Sequence, residues 1–487
     1  MAQGQRGGRG RSDREARPKE PGSRTRPYEQ GRSGKPGRSK GPPIDRRRRR
    51  RDDRYDLPKQ GPAWRGTHPA LYGRPAREGE GESPLGSPSD VEDQAMKPLP
   101  KWKGRKLHSL MPLLCRKRTL QAAWEMVRRN GGAPGVDGET VEEFGERVRE
   151  RLWELSEALR TRTWVPRPLK RTWIPKPDGT KRGLAIPSVG DRVVHAAIAI
   201  VLFPVFEDMF GEACFAYVPG KNAQQAVERV WTKAREGKTW VVETDVAKFF
   251  DTMDRRRLVD KLAARIADGG ILRLVDAVMR SGVLGENTRE DTVGVPQGSP
   301  LSPLLANLYL AEFDRTVGES WAVTRYADDL VVQCATQEEA LAARREVEAA
   351  LAKEGLSMKT EKTRVVPLAA GIDFLGYHIT DRRRSPSERS VKRFQEKVRS
   401  LTLRHDTRPL EEVVQRVMPV IRGWTNYFSL ARKDPVIWHL SSWVLDRVRG
   451  AGFHRRIPEG GSRQLPLSAL HDMGLRLPYA VLTGWSP

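Results

Sequence analysis

Cysteine is nearly missing from this chain: Cys115, Cys214 and Cys334 are the only three among 487 residues. They lie far apart and show no metal-ligand pairing, which excludes a disulfide framework and fits a reducing compartment. Long apolar runs are scarce as well. The longest, residues 196–206, contains Pro204 and is flanked by Asp191-Arg192 and Glu207-Asp208. A membrane span needs roughly 20 apolar residues, so this run is expected to be a buried helix, and no membrane partner is expected. The N-terminus is basic with no apolar segment after it, so a secretory signal is not expected either. What is in excess is positive charge: Lys+Arg is 87 against 62 for Asp+Glu, a formal net charge of +25. A surplus of that size argues for a polyanionic partner, and nucleic acid is the commonest one.

The length suits about three domains of roughly 100–200 residues each. Residues 1 to about 100 are rich in Arg, Gly, Pro and Ser and poor in large apolar side chains. Such a stretch cannot bury enough surface to offset its ordering entropy and is expected to be disordered. Its arginine run, 46–51, would suit phosphates, and a solubilising tail stands equally well. Order is expected from near Leu107. Leu120, Ala123, Trp124 and Val127 are spaced for a helix over 119–129. Thr140-Val141-Glu142-Glu143 has the form of a capping box, opening a helix with Val141, Phe144, Val148, Leu152, Leu155 and Leu159 on one face. Asp178-Gly179 is a two-residue hairpin turn between strands that carry Lys176, Lys181 and Arg182. Cations on such a hairpin can clamp a triphosphate; they can equally be solvated charges.

Further helices are predicted over 191–206, 223–234, 258–280 (broken at Gly269-Gly270), 304–313 and 338–353. Phe374-Leu375-Gly376-Tyr377 reads as a turn between two short strands. From Ser390 the pattern is helical, with a kink at Pro419. Lys392, Arg393, Lys397, Arg399 and Arg404 cluster there, which fits either a groove for a duplex or a solvated helix face. Residues 451–487 offer no legible chemistry.

The acidic residues carry the sharpest signal. Asp328-Asp329 stands between the apolar strands Ala322-Val323-Thr324 and Leu330-Val331-Val332, so it forms the turn of a hairpin. Adjacent carboxylates beside an apolar sheet repel each other and are usually compensated by a bound cation. Asp245 ends another apolar strand that starts at Trp240. Three carboxylates from two strand ends suit a pair of Mg²⁺ ions and an in-line phosphoryl displacement. Taken alone, Asp328-Asp329 would read as an ordinary turn, since Asp is common in turns.

The order of these segments is more specific than any one of them. Gly135-Val136-Asp137-Gly138, Ile174-Pro175-Lys176 with Arg182, the run Gly294-Val295-Pro296-Gln297-Gly298-Ser299-Pro300-Leu301-Ser302-Pro303-Leu304-Leu305-Ala306-Asn307, and Arg325-Tyr326-Ala327-Asp328-Asp329 follow one another as in the reverse transcriptase family. The series resembles most the reverse transcriptase/maturase proteins of group II introns, and Gly423-Trp424-Thr425-Asn426-Tyr427-Phe428 resembles their maturase (thumb, or X) hallmark. The resemblance covers about residues 107–450.

It implies an α+β right-hand polymerase, with a basic extension over 1–106, fingers and palm over 107–382, a helical thumb over 383–450 and a C-terminal segment over 451–487. It further implies that Asp245, Asp328 and Asp329 hold two Mg²⁺ ions, or Mn²⁺ in their place, with the Val246 carbonyl as an extra ligand. Lys176 and Arg182 would grip the triphosphate, Phe250 would exclude a ribose 2′-hydroxyl, and Gln297 would line the nucleotide pocket. Phe374, Leu375, Gly376 and Tyr377 would hold the primer end; Lys392, Arg393, Lys397, Trp424 and Tyr427 would meet RNA. The implied partners are an RNA template such as intron RNA, a DNA or RNA primer and deoxynucleoside triphosphates, in a cytoplasmic, RNA-associated location.

There are departures from the family pattern. Phe215-Ala216-Tyr217-Val218-Pro219-Gly220-Lys221 matches the family's template-contacting segment only loosely, and no Cys/His pairs follow residue 450, so a zinc-associated endonuclease is not expected. Two other readings stay open: a domesticated polymerase in phage defence, CRISPR adaptation or repair, and an RNA-binding splicing factor with an idle polymerase site.

Overall fold

The computed structural model describes residues 101–175, 181–284, 293–403, 408–452 and 466–484. Residues 1–100 of the expected extension, Lys176, the Asp178-Gly179 turn and Arg404 lie outside the described residues, as does the Arg182 side chain; the extension's last residues, 101–106, are described, and Trp102 packs on the core under the Arg265 guanidinium. The architecture is α+β, with three antiparallel sheets among the described residues. Strands β1 (Lys170–Pro175) and β2 (Lys181–Ile186) pair as the expected hairpin, Ile174 opposite Arg182. The central sheet has the order β4-β5-β3-β6, built from β3 (Trp240–Asp245), β4 (Ala322–Tyr326), β5 (Asp329–Cys334) and β6 (Arg364–Pro367). A third sheet joins β7 (Ile372–Phe374), β8 (Tyr377–Ile379) and β9 (Arg384–Pro386) in that order.

The helix Val189–Phe206 runs through the main core. The Ser188 hydroxyl caps it, accepting the Asp191 N–H at 3.1 Å. It is long and apolar enough to cross a membrane by composition, yet 94% of that stretch is buried inside the protein. Apolar residues on all sides of a helix mean that it is packed on all sides, and here the neighbours are protein. The helix Ser302–Ser320 lies beside it in the same core and extends well past the predicted 304–313. The extension crosses Asp314, a charge tolerated in the interior because Arg325 reaches it from β4.

Other expectations need correction. The capping box at Thr140 forms as expected. However, the single helix behind it is two, Val141–Glu146 and Val148–Arg160, separated at Arg147. Gly145 lies just before the break, a weak helix former pressed on the Trp124 ring. Gly269-Gly270 does not interrupt a helix; it begins Gly269–Arg280, after Arg255–Ala263 has ended. Asp268 caps this start by accepting from the Gly270 N–H at 2.9 Å. A Cβ on Gly270 would meet Met111 Cγ at 2.7 Å, so close helix packing demands glycine there.

The thumb comprises Glu388–Leu401, Leu410–Tyr427 and Pro435–Gly452. Phe394, Val398, Val413, Val417, Ile421 and Val444 form its core. The C-terminal segment contributes to that core too: Leu467–Asp472 and Pro478–Thr483 flank Leu470 and Leu475, both fully covered.

Candidate active site

The site is built at one end of the central sheet. In the β3–β5 pairing Asp245 stands directly opposite Asp329, and Tyr326 of β4 stands on the other side of Asp329. Residues opposed in this way lie about 4.5–5.5 Å apart between Cα atoms. Asp328 occupies the turn beside them, and its carbonyl accepts the Val246 N–H at 3.2 Å. The backbone therefore brings Asp245, Asp328, Asp329 and Val246 together. Two carboxylates at about 4 Å repel by roughly 1 kcal/mol in water and about 4 kcal/mol near a protein surface. The Asp329 carboxyl responds: burial, then its hydrogen bond to Asp245, then the charges of Asp328 and Asp245 push its pKa well above the usual carboxylate range.

The compensating charge in this structure is Lys362, whose ammonium pairs with Asp245 Oδ2. Burial works against the charge on Lys362, but the hydrogen bond and charge of Asp245, together with Asp329 and Asp328, outweigh it and raise its pKa. Lys362 arrives on the segment that crosses beneath β3. Ala247 N–H donates to Ser357 O at 2.8 Å, Lys359 N–H donates to Asp245 O at 2.8 Å, and Thr244 Oγ1 meets Thr363 Oγ1 at 2.7 Å. Lys362 was not among the residues expected at the site. Its signal was a cation in the stretch that passes an acidic strand end. Among the described residues, no three His, Cys, Asp or Glu side chains are gathered as a ready ligand set. The donor chemistry still fits a hard divalent ion, since the groups gathered here, the Asp245, Asp328 and Asp329 carboxylates, are oxygen ligands.

The turn itself is locked from behind. Ala327 has φ +59° and Asp328 is not in that region, the pattern of a type II′ hairpin turn. The Arg325 guanidinium, fully buried, donates to Ala327 O at 3.1 Å and Asn307 Oδ1 at 3.2 Å, and pairs with Asp314 through Nε at 2.7 Å and Nη2 at 2.5 Å. Burial disfavours its charge, but the Asp314 carboxylate more than offsets this, so the net pKa shift is upward. The sequence signal was available: an arginine inside an apolar strand and an aspartate in an apolar helix need each other.

The Pro-Gln-Gly loop closes over this region. Val295 N–H donates to Phe250 O at 2.8 Å, Gln297 Nε2 donates to Asp251 Oδ1 at 3.3 Å, and Gln297 O accepts the Ala185 N–H of β2 at 2.9 Å. A Cβ on Gly298 would lie 2.5 Å from Ala185 O, so only glycine permits the loop to seat on the hairpin. Phe250 and Gln297 are thus drawn to the same place, beside the base of the hairpin whose strands hold Arg182. Beneath the loop, Ser299 Oγ meets His195 Nδ1 at 3.0 Å and accepts the Leu301 N–H at 3.2 Å. Burial lowers the His195 pKa from 6.5 to about 3, which keeps the ring neutral.

The thumb residues divide. Lys392 and Arg393 are exposed, Lys392 pairing with Glu388 at 2.7 Å, and Lys397 is half-buried, while Phe394 and Val398 turn inward. Trp424 and Tyr427, both half-buried, stand on the next helix, Leu410–Tyr427. The Trp424 ring packs on Phe394 and Phe428 at 4.7 Å each, with its Nε1 buried and without an acceptor. The Tyr427 hydroxyl donates to Leu375 O at 2.8 Å. Phe374 and Tyr377 are buried strand residues, and Leu375 and Gly376 form the turn between them.

The chain shares this layout with known proteins. Residues 174–379 match the family described as reverse transcriptase (RNA-dependent DNA polymerase), and residues 391–460 match the group II intron maturase-specific domain. Protein YkfC of Escherichia coli (strain K12) is 29% identical over 331 residues, covering 59% of this chain and 86% of that protein. The group II intron-encoded protein LtrA of Lactococcus lactis subsp. cremoris is 30% identical over 208 residues, covering 42% of this chain and 34% of that protein. Among solved structures, a chain of a "Partial Cas6-RT-Cas1--Cas2 complex" is similar over 50% of this chain and 42% of that one, with 26% identity and a TM-score of 0.32. Divalent-metal chemistry and a nucleic-acid template go with the first of these domains. In chain order, then, a match to the reverse transcriptase (RNA-dependent DNA polymerase) family over 174–379 is followed by a match to the group II intron maturase-specific domain over 391–460.

Proposed function

We propose that this protein extends a primer 3′-hydroxyl with deoxynucleoside triphosphates on an RNA template, at a site for two Mg²⁺ ions held by Asp245, Asp328 and Asp329. The observation that carries the reading is the cross-strand opposition of Asp245 and Asp329 next to the Asp328 turn. Bound ions would supply charge neutralisation for the triphosphate and a lowered pKa for the attacking hydroxyl, and Mn²⁺ has the chemistry to substitute. The chain's own residues do the rest. Asp245 and Asp329 exchange the Lys362 ammonium for divalent charge. Phe250, next to the Gln297 loop, would limit the sugar edge and so select deoxynucleotides. Gln297, fixed by its carbonyl to β2 and by its amide to Asp251, presents a constant wall to the incoming base. Lys176 and Arg182 serve the phosphates, and Phe374-Leu375-Gly376-Tyr377 holds the primer end.

The exposed Lys392 and Arg393 support RNA binding by the thumb, and a maturase role on intron RNA is the service we assign to it. Three free cysteines support a reducing, cytoplasmic setting among RNA, apart from membranes. The test is primer extension on an RNA template with Mg²⁺, comparing the parent with Asp328→Ala. We expect a loss of more than about a hundredfold, since a first ligand should matter at least as much as an outer-shell partner. Equal rates in the two proteins would end the proposal.

A further inference from the structure

The turn between β7 and β8 is strained and held from outside its own sheet. Leu375 and Gly376 both have positive φ, +51° and +79°. A two-residue turn of this kind suits Asn-Gly, whereas leucine resists it because its Cβ crowds the following carbonyl. A leucine persists there only when its surroundings over-determine the conformation. Both turn carbonyls are taken by the thumb side. The Tyr427 hydroxyl donates to Leu375 O at 2.8 Å. The Ser387 N–H and the Ser390 hydroxyl donate to Gly376 O at 2.8 and 2.9 Å.

The link is reciprocal. The Tyr377 hydroxyl donates to Tyr427 O, which also accepts from Gln224 Nε2 at 3.0 Å. Gln224 belongs to Ala223–Arg235, so three separate elements meet at one tyrosine. Phe428 packs between the pair, 4.9 Å from each of the Tyr377 and Tyr427 rings. A tyrosine whose only duty was to fill the core would have no need of its hydroxyl on this particular carbonyl.

We infer that Tyr427 is a positioning residue. Its hydroxyl, carried by the thumb, holds the Leu375–Gly376 turn in its strained form and thereby fixes where the primer end lies relative to Asp328 and Asp329. The inference rests on the proposed reading of residues 374–377 as the primer-holding segment. It makes the thumb more than a clamp for nucleic acid: a thumb out of place releases the turn.

The variant to make is Tyr427→Phe, which keeps the ring stack and removes only the hydroxyl. Two readouts are needed. Amide exchange over residues 372–379 in the full chain is expected to accelerate about fivefold, the loss of one ordinary hydrogen bond. The rate constant for single-nucleotide extension, per active site titrated, is expected to fall about fivefold with primer–template affinity within about twofold, because misplacement acts on reaction geometry. Adding Leu375→Gly should restore at least half of the lost rate, since glycine accepts positive φ without help. A purely structural role would lower thermal stability and the active fraction and leave the rate per active site intact. Unchanged exchange in Tyr427→Phe would overturn the inference itself. Faster exchange with an unchanged extension rate would instead overturn the reading of 374–377 as the primer holder.

Discussion

Among the described residues, two tight hairpin turns carry a non-glycine residue in the left-handed region, and they are held by different means. At Ala327 (φ +59°) the anchor is internal to the palm: Arg325, one strand residue away, grips the Ala327 carbonyl while Asp314 and Asn307 hold its guanidinium. At Leu375 (φ +51°) the anchor comes from the thumb through Tyr427, Ser387 and Ser390. The difference teaches where rigidity is needed. The turn beside Asp245 and Asp329 is held by an ion pair buried in the same core. The Leu375 turn is held by hydroxyls and an N–H from outside its own hairpin.

The largest effect expected comes from breaking the internal anchor. Asp314→Ala leaves the Arg325 guanidinium charged and uncompensated in the core, which costs about 3–5 kcal/mol. Denaturant unfolding should show this as a lower midpoint with an unchanged slope. The double change Arg325→Met with Asp314→Leu should recover more than half of the loss. If Asp314→Ala unfolds at the parental midpoint, the pair does not hold the turn in the way its geometry implies.

A third buried anchor, His195 beneath the Pro-Gln-Gly loop, sharpens the comparison through pH. Its folded pKa is depressed to about 3 by burial, below the 6.5 of the free group. The unfolded chain therefore takes up a proton that the folded chain refuses. The stability from a neutral His195 is complete above pH 6.5 and drains as pH falls toward 3, by a few kcal/mol in total. His195→Gln should flatten that acid limb while leaving neutral-pH stability within about 2 kcal/mol. A parental limb that persists in the variant would assign it to other groups.

The smallest effect concerns strain alone. Ala327→Gly removes the left-handed penalty of about 1–2 kcal/mol but adds unfolded-state entropy of about 0.5–1 kcal/mol, so stability should change by no more than about 1 kcal/mol. Thermal unfolding would register this as a shift of a few degrees at most. A large loss would mean that the Ala327 methyl packs against something essential.

Much of this was legible in the residues. Alternating and apolar runs marked β3, β4 and β5, and the turn chemistry marked the hairpins, because both depend on neighbours in sequence. The capping box at Thr140 was visible for the same reason. What was not legible shares one property. Strands β6 and β9 are short pieces of three or four residues that become strands only when a partner edge is offered. A Cβ on Gly145, beside the break at Arg147, would come 3.3 Å from Trp124 of another helix, and one on Gly270 would come 2.7 Å from Met111, neighbours that the local sequence does not reveal. That Trp424 packs on Phe394 and that Tyr427 reaches Leu375 O depends on partners from other elements.

The sequence by itself determined the kind of chemistry. The order of its segments pointed to one family, and the aspartates at the ends of two apolar strands pointed to one candidate site, since residue identity and local turn propensity suffice for both. The tertiary structure alone decided that Asp245 faces Asp329 across one ladder, that Lys362 supplies the charge between them, and that the thumb reaches the Leu375 carbonyl. These are contacts between residues tens to more than a hundred positions apart. Chain-local preference carries no information about them; only the packing of helices and sheets that encloses both partners does.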